Sequence, residues 1–225
     1  MKRLYIFDWD GTLMDSVNRI VSCLRQAALE QGLDDLEDRH FGDVIGLGLP
    51  QAIARLYPGL DAPRVERFRT TYAERFLAAD GEPAVLFPGA RVLLDELRGR
   101  GHQVAVATGK SRRGLNRILD ELDLVQCFDA TRCADETASK PDPRMLEEIV
   151  AELDVDRDRA VMIGDTEYDL EMAARAGIRS VGISHGVHSR ERLLRHAPES
   201  IVDSLLEILA WEPSVRPLSG RRGVL

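Results

Sequence analysis

Three short apolar runs in this chain stop dead on a polar residue instead of alternating with polar positions. Leu4-Tyr5-Ile6-Phe7 ends on Asp8, Val104-Ala105-Val106-Ala107 on Thr108, and Val161-Met162-Ile163 on Gly164-Asp165. A strand with one wet face alternates, whereas an unbroken run has both faces covered and belongs inside a parallel sheet. Ser180-Val181-Gly182-Ile183 reads as a further strand, and helical patterns over residues 90–98 and after Ser111 fall between the runs. Such repetition predicts an α/β fold with right-handed crossovers and helices on both faces of a parallel sheet.

One stretch breaks that rhythm. Val17, Ile20, Val21, Leu24, Ala27 and Ala28 recur at helical spacing, with Asp15 or Ser16 available as a cap and Gly32 as a stop. Residues 51–57 read as a helix broken by Pro58-Gly59, and Pro63 opens another whose stripe is Val65, Phe68, Tyr72 and Phe76. No buried strand lies among them. The expected organisation is a Rossmann-like α/β core from residues 1–14 and 84–212, with a small all-helical cap domain over 15–83. Residues 213–225, rich in Pro, Gly, Ser and Arg, are expected to be disordered.

Ligands of an open parallel sheet bind beyond the carboxyl ends of its strands. Asp8 and Asp10, Thr108-Gly109, and Gly164-Asp165 with Asp169 should therefore converge, and Lys140 in Ser139-Lys140-Pro141 is a candidate to join them. Carboxylates gathered in one place repel one another unless a cation is bound, and oxygen ligands without a convincing His or Cys favour magnesium. The net charge of −8 argues against a nucleic-acid partner but leaves room for a local phosphate site. The first apolar run is too short for a membrane span or signal peptide. Cys23, Cys127 and Cys133 form no pairing or zinc pattern, so a reducing, cytoplasmic setting is expected.

Phe7-Asp8-Trp9-Asp10-Gly11-Thr12-Leu13 resembles the first signature of the haloacid dehalogenase superfamily of phosphatases. Ala107-Thr108-Gly109-Lys110 resembles its second motif, Ser139-Lys140-Pro141 its third, and Ile163-Gly164-Asp165-Thr166-Glu167-Tyr168-Asp169 its fourth. At residue frequencies of roughly 5–7%, the fixed positions of D-x-D-G-T match by chance only about once per 10⁵ starts. The whole arrangement is most similar to the phosphoglycolate phosphatase and β-phosphoglucomutase branch, whose small helical cap follows the first motif.

The resemblance implies a nucleophile at Asp8 and an acid and base at Asp10. It implies metal ligands at Asp8, the Asp10 main-chain carbonyl and Asp165, and phosphate donors at Thr108 and Gly109. Lys140 would offset charge, and Asp169 would orient Lys140 or a metal-bound water. A small phosphorylated metabolite is the expected partner, phosphoglycolate first, with a monomer or weak homodimer as the expected assembly. A sugar phosphomutase and a pyrophosphatase remain as alternatives, as does a non-catalytic protein on the same scaffold. Dehalogenation is disfavoured because Asp10 is present.

Plainer readings stand beside these. Asp8 and Asp10 could close a turn, and Asp165 and Asp169 could simply begin a helix. Lys110 is a possible substrate contact, whereas Arg112, Arg113 and Arg117 read as a solvated helix face. His185 and His188 read as loop residues, since H-x-x-H lacks a third ligand. Gly46-Leu47-Gly48-Leu49-Pro50 resembles the cap segment that faces the substrate and also suffices as a turn. Arg55, Phe68, Tyr72 and Phe76 read as packing or surface. Trp9 is bulkier than the aliphatic residue expected there and should fill space between sheet and helix.

Overall fold

The structure, a computed structural model, describes residues 2–78 and 85–212. The expectation of disorder after residue 212 lies outside the described residues. Among the described residues, six strands form one sheet: β1 (Leu4–Phe7), β2 (Gln103–Thr108), β3 (Ala130–Cys133), β4 (Ala160–Gly164), β5 (Arg179–Ile183) and β6 (Ser200–Val202). Their order is β3-β2-β1-β4-β5-β6, and every pairing is parallel. The chain runs outward from β1 to β3, then returns to β4 on the other side of β1. Phe7 lies opposite both Val106 and Ile163, so the residues just past these three strands end level with one another.

The unbroken apolar runs divide by parity between two cores. Tyr5, Phe7, Val104, Val106 and Ile163 face α5 (Ala90–Gly99) and α6 (Arg112–Glu121). Leu4, Ile6, Ala105 and Met162 face α7 (Arg144–Glu152) and α8 (Glu167–Ala176). Trp9 is fully buried, its Nε1 donating to Met14 Sδ at 3.1 Å and its ring standing edge-on to Phe128. It fills space in the first of these cores.

Among the described residues, four helices lie between β1 and α5: α1 (Val17–Glu30), α2 (Asp38–Gly42), α3 (Leu49–Leu56) and α4 (Ala62–Ala78). They share a core of their own in which Ile20, Leu24, Phe41, Ile53 and Phe68 are buried together. The chain crosses between the units on two paired segments: Asp15 N donates to Val85 O, and Phe87 N to Leu13 O, both at 2.9 Å. None of the helices among the described residues is long and apolar enough to cross a membrane.

Several local expectations need correction. β3 and β6 have no counterpart in the sequence reading, because Ala130-Thr131-Arg132-Cys133 is polar and Ser200-Ile201-Val202 is short. Both are edge strands and need no double-sided apolar run. The helix expected from residue 51 begins at Leu49, with Pro50 in its first turn. Ser16 holds the position before α1, but its side chain does not cap that helix.

Candidate active site

Asp8 follows the last residue of β1 and is almost entirely enclosed. Lys140, which has no accessible side chain, puts Nζ 2.6 Å from Asp8 Oδ1 and 2.7 Å from Asp169 Oδ1. Burial opposes the charge on Lys140, yet Asp169 and Asp8 outweigh it and hold the ammonium above the ordinary lysine range. Burial pushes the Asp8 carboxyl well above the usual carboxylate range; Lys140 pulls it back, while Asp169 and Asp165 add to the rise. Asp169 has two tasks. Its Oδ2 accepts from Thr166 N at 3.1 Å and Thr166 Oγ1 at 2.7 Å, closing a capping box on α8, while Oδ1 meets Lys140.

Asp165 sits just past β4 with both oxygens engaged, Oδ1 by Thr12 Oγ1 at 2.7 Å and Oδ2 by Val187 N at 2.8 Å. Backbone presses on it from two sides: a Cβ on Gly11 would come within 2.4 Å of Asp165 Oδ2, and one on Gly186 within 2.2 Å. Burial, reinforced by Asp169, raises the Asp165 carboxyl to about 7. Asp8, Asp165 and Asp169 can bring oxygens within 4.8 Å of one another, and Asp8 Oδ2 has no hydrogen-bond partner among the described residues. Three carboxylates against one ammonium leave excess negative charge out of contact with water. That excess and that free oxygen fit a hard divalent cation with oxygen ligands.

Asp10 points to a different set of partners. Its Oδ1 accepts from Ser16 Oγ at 2.5 Å and lies 2.9 Å from Lys110 Nζ. Ser16 therefore spends its hydroxyl on Asp10 instead of on its helix. Lys110 also stands 5.0 Å from the Phe76 ring centre. Thr108 is buried at the end of β2, and its Oγ1 accepts from Lys110 N at 3.2 Å. Gly109 is pressed by the cap: a Cβ there would meet Leu47 O at 2.5 Å and Gly46 O at 2.7 Å. Gly48 N donates to Ser139 Oγ at 2.8 Å, next to Lys140.

Asp8, Asp10, Thr108 and Gly109 form the floor of a cavity of about 630 Å³ between core and cap. The cap side includes the 46–50 turn together with Tyr72 and Phe76, which pack against the helical core as read and also line the cavity. The α4 stripe was visible in the sequence; its periodicity could not say which of its residues end at the cavity. Ser16 and Thr12 also contact the site residues directly. Arg112 is tied to Glu136 and Thr131, as a helix-face residue should be. Of the two histidines, His185 stacks on Phe87 and its Nε2 lies 3.1 Å from Thr12 O, while His188 Nδ1 accepts from Glu167 N at 2.9 Å. Burial holds His188 down at about 4, so it is neutral at pH 7. These contacts are those of loop histidines.

The family description for haloacid dehalogenase-like hydrolases matches residues 5–183. The chain belongs to that family. It is an enzyme of the phosphatase class, within the phosphoglycolate phosphatase-like branch. It is 32% identical over 225 residues to "Probable phosphatase IndB" of Dickeya dadantii, covering 97% of each chain. It is 29% identical to a phosphoglycolate phosphatase of Pseudomonas fluorescens, covering 93% of this chain and 79% of the relative. Among solved structures, a haloacid dehalogenase-like family hydrolase of Streptococcus pneumoniae superposes with a TM-score of 0.80 at 24% identity. That match covers 93% of this chain and 97% of the other, and it bears on the fold alone.

Proposed function

We propose that this phosphatase hydrolyses a small organic phosphate monoester with magnesium, through a covalent aspartyl-phosphate on Asp8. The observation that carries the reading is the enclosed Asp8 carboxylate at the cavity floor, charge-paired through Oδ1 and with no hydrogen bond on Oδ2 from the described residues. An Asp8 oxygen attacks phosphorus as the ester P–O bond breaks, and Asp10 gives its proton to the leaving alcohol oxygen. Asp10 then takes a proton from a water that attacks the phosphorus of the aspartyl-phosphate, freeing inorganic phosphate and restoring Asp8. Thr108 and the Gly109 amide donate to the phosphate oxygens, and Lys140 keeps Asp8 in place. A magnesium ion held by Asp8, the Asp10 main-chain carbonyl and Asp165 would offset the charge between the attacking carboxylate and the phosphate. Phosphoglycolate, the substrate named for several relatives, is the reference ester.

The test is Asp8→Asn, which keeps shape and removes the attacking charge. Turnover of any phosphate ester should fall by on the order of 10⁴ or more, with the fold intact by circular dichroism. Rapid acid quench of the wild type during turnover should leave phosphate on the peptide that carries Asp8. Near-normal turnover by Asp8→Asn would overturn the mechanism.

A further inference from the structure

Asp10 has to act twice, as an acid towards the leaving oxygen and as a base towards water, and both tasks need one of its oxygens aimed at the reacting atoms. A carboxyl group by itself aims poorly, because the last torsion of an aspartate is broad and roughly two-fold. Here that torsion is held. Oδ1 accepts from Ser16 Oγ at 2.5 Å and from Lys110 Nζ at 2.9 Å, while Oδ2 takes no hydrogen bond from the described residues. With two donors on Oδ1, the proton that Asp10 passes on belongs on Oδ2, the oxygen left to the cavity that Asp10 lines.

Lys110 is itself firmly built in. Its N donates to Thr108 Oγ1 and its carbonyl accepts from Ala134 N, both at 3.2 Å, so its backbone is tied to the end of β2 and to the loop after β3. Its side chain is only 11% accessible and carries the ammonium to 5.0 Å from the Phe76 ring centre. Of the cations that line the cavity, Arg19, Arg69, Lys110, Arg113 and Arg117, only Lys110 pairs with Asp10 among the described residues. The two anchors of Asp10 also stand on different elements: Ser16 precedes α1 of the cap, whereas Lys110 follows β2 of the core. One hydrogen bond would leave the carboxyl free to turn about that contact; a second donor from another direction fixes its plane.

We propose that Lys110 is a positioning residue for Asp10, fixing Oδ1 so that Oδ2 faces the leaving oxygen, and that it is not a ligand of the transferred phosphate. The inference rests on the phosphatase reading above, with Asp10 as its acid. As the ester P–O bond breaks, the proton moves from Oδ2 to the departing oxygen, and Lys110 keeps its hydrogen bond to Oδ1 throughout.

The two roles differ in how a loss depends on the leaving group. A phosphate ligand stabilises the transition state of every ester alike, whereas a group that acts through the acid matters only where the departing oxygen needs a proton. The experiment measures kcat/KM of the full chain with magnesium on p-nitrophenyl, phenyl and benzyl phosphate, which share a ring and have progressively more basic leaving oxygens. This parameter covers the steps up to departure of that oxygen and leaves out hydrolysis of the aspartyl-phosphate. In Lys110→Met, the ratio of kcat/KM for benzyl phosphate to that for p-nitrophenyl phosphate should fall about 10- to 100-fold, the scale of displacing a reacting group by an ångström, with phenyl phosphate between them. Asp10→Asn should lower the same ratio, and adding Lys110→Met to it should lower the ratio no further. Circular dichroism checks the fold, and Lys110→Gln, too short to reach Asp10, repeats the comparison if the methionine variant is unstable. An unchanged ratio in Lys110→Met overturns the inference and returns Lys110 to the phosphate, as does a further fall in the double variant. Asp10→Asn lowering all three esters by one factor overturns Asp10 as the acid. No hydrolysis of these esters or of phosphoglycolate by the wild type overturns the phosphatase reading, and the inference with it.

Discussion

Lys140 is the side chain on which the buried charges depend. It has no accessible surface and touches two of the three enclosed carboxylates, so its loss leaves Asp8, Asp165 and Asp169 without a counter-charge. Removing one partner from such a group costs about 3–5 kcal/mol. Lys140→Ala should lower the unfolding free energy from urea titration at pH 7.5 by that amount without metal, moving the midpoint down accordingly, and magnesium should recover more stability in the variant than in the wild type. An unshifted midpoint would mean that the carboxylates protonate or hydrate without penalty. Asp165 adds a pH dependence with a defined sign. Its carboxyl titrates near 7 in the metal-free fold, against an ordinary value of 3.8, so the native state holds an extra proton between those limits. This contribution to stability is present below about pH 4 and is lost as pH rises towards 7. A cation needs the ionised form, so the rise in Tm produced by magnesium should be small at pH 5 and reach its full size above pH 7. His188, held down at about 4, titrates the opposite way, but it acts on both the magnesium and the EDTA curves and cancels in their difference. A magnesium increment independent of pH would remove Asp165 from the ligand set.

At the scale of elements, the 46–50 turn is held down by the core loop after β2. The backbone carbonyls of Gly46 and Leu47 occupy the space that a side chain on Gly109 would need. Gly109→Ala must push the turn away, and a displacement of an ångström near a reacting centre costs up to about 100-fold. We expect kcat/KM to fall about 10- to 100-fold on every ester alike, while far-ultraviolet dichroism is unchanged. A loss confined to one ester would assign the turn to recognition alone. Much of this geometry was legible in the residues. The runs ending on Asp8, Thr108 and Asp165 mark central strands because burial on both faces leaves no alternation, and register then brings their last residues level. β3 and β6 stayed hidden because an edge strand is specified by its neighbour's free backbone more than by its own side chains. Lys140 is legible only as part of a motif, since nothing about a single lysine in a loop says it is buried. Tyr72 and Phe76 show the limit of periodicity: it finds the inward stripe of α4, but where the packed core ends and the cavity begins depends on how the helix sits above the sheet.

Across the whole molecule, the cap is fastened to the core on the side of α8. Asp43, at the end of α2, pairs with Arg192 of α9 (Arg190–Leu194), and its carbonyl accepts from Tyr168 Oη at 2.6 Å. Arg192 also grips Glu167, whose carboxyl is drawn down to about 2, first by that hydrogen bond. Both partners keep some solvent contact, so the Asp43–Arg192 pair is worth about 1 kcal/mol or less. Asp43→Ala should therefore speed cap opening without unfolding either unit. Hydrogen exchange at the Gly48 amide, bonded to Ser139 across the seam, should accelerate up to about fivefold, and an unchanged rate would show that the pair does not hold the cap shut. The paired crossings at Leu13–Phe87 and Asp15–Val85 bear on how such a protein changes over generations. The cap leaves and re-enters the core at almost the same spot, so the sheet does not register what lies between. Insertions, deletions or a wholesale exchange of that segment alter the roof over Asp8 while the hearth beneath it stays where it was, and lineages can trade one diet for another without rebuilding the chemistry.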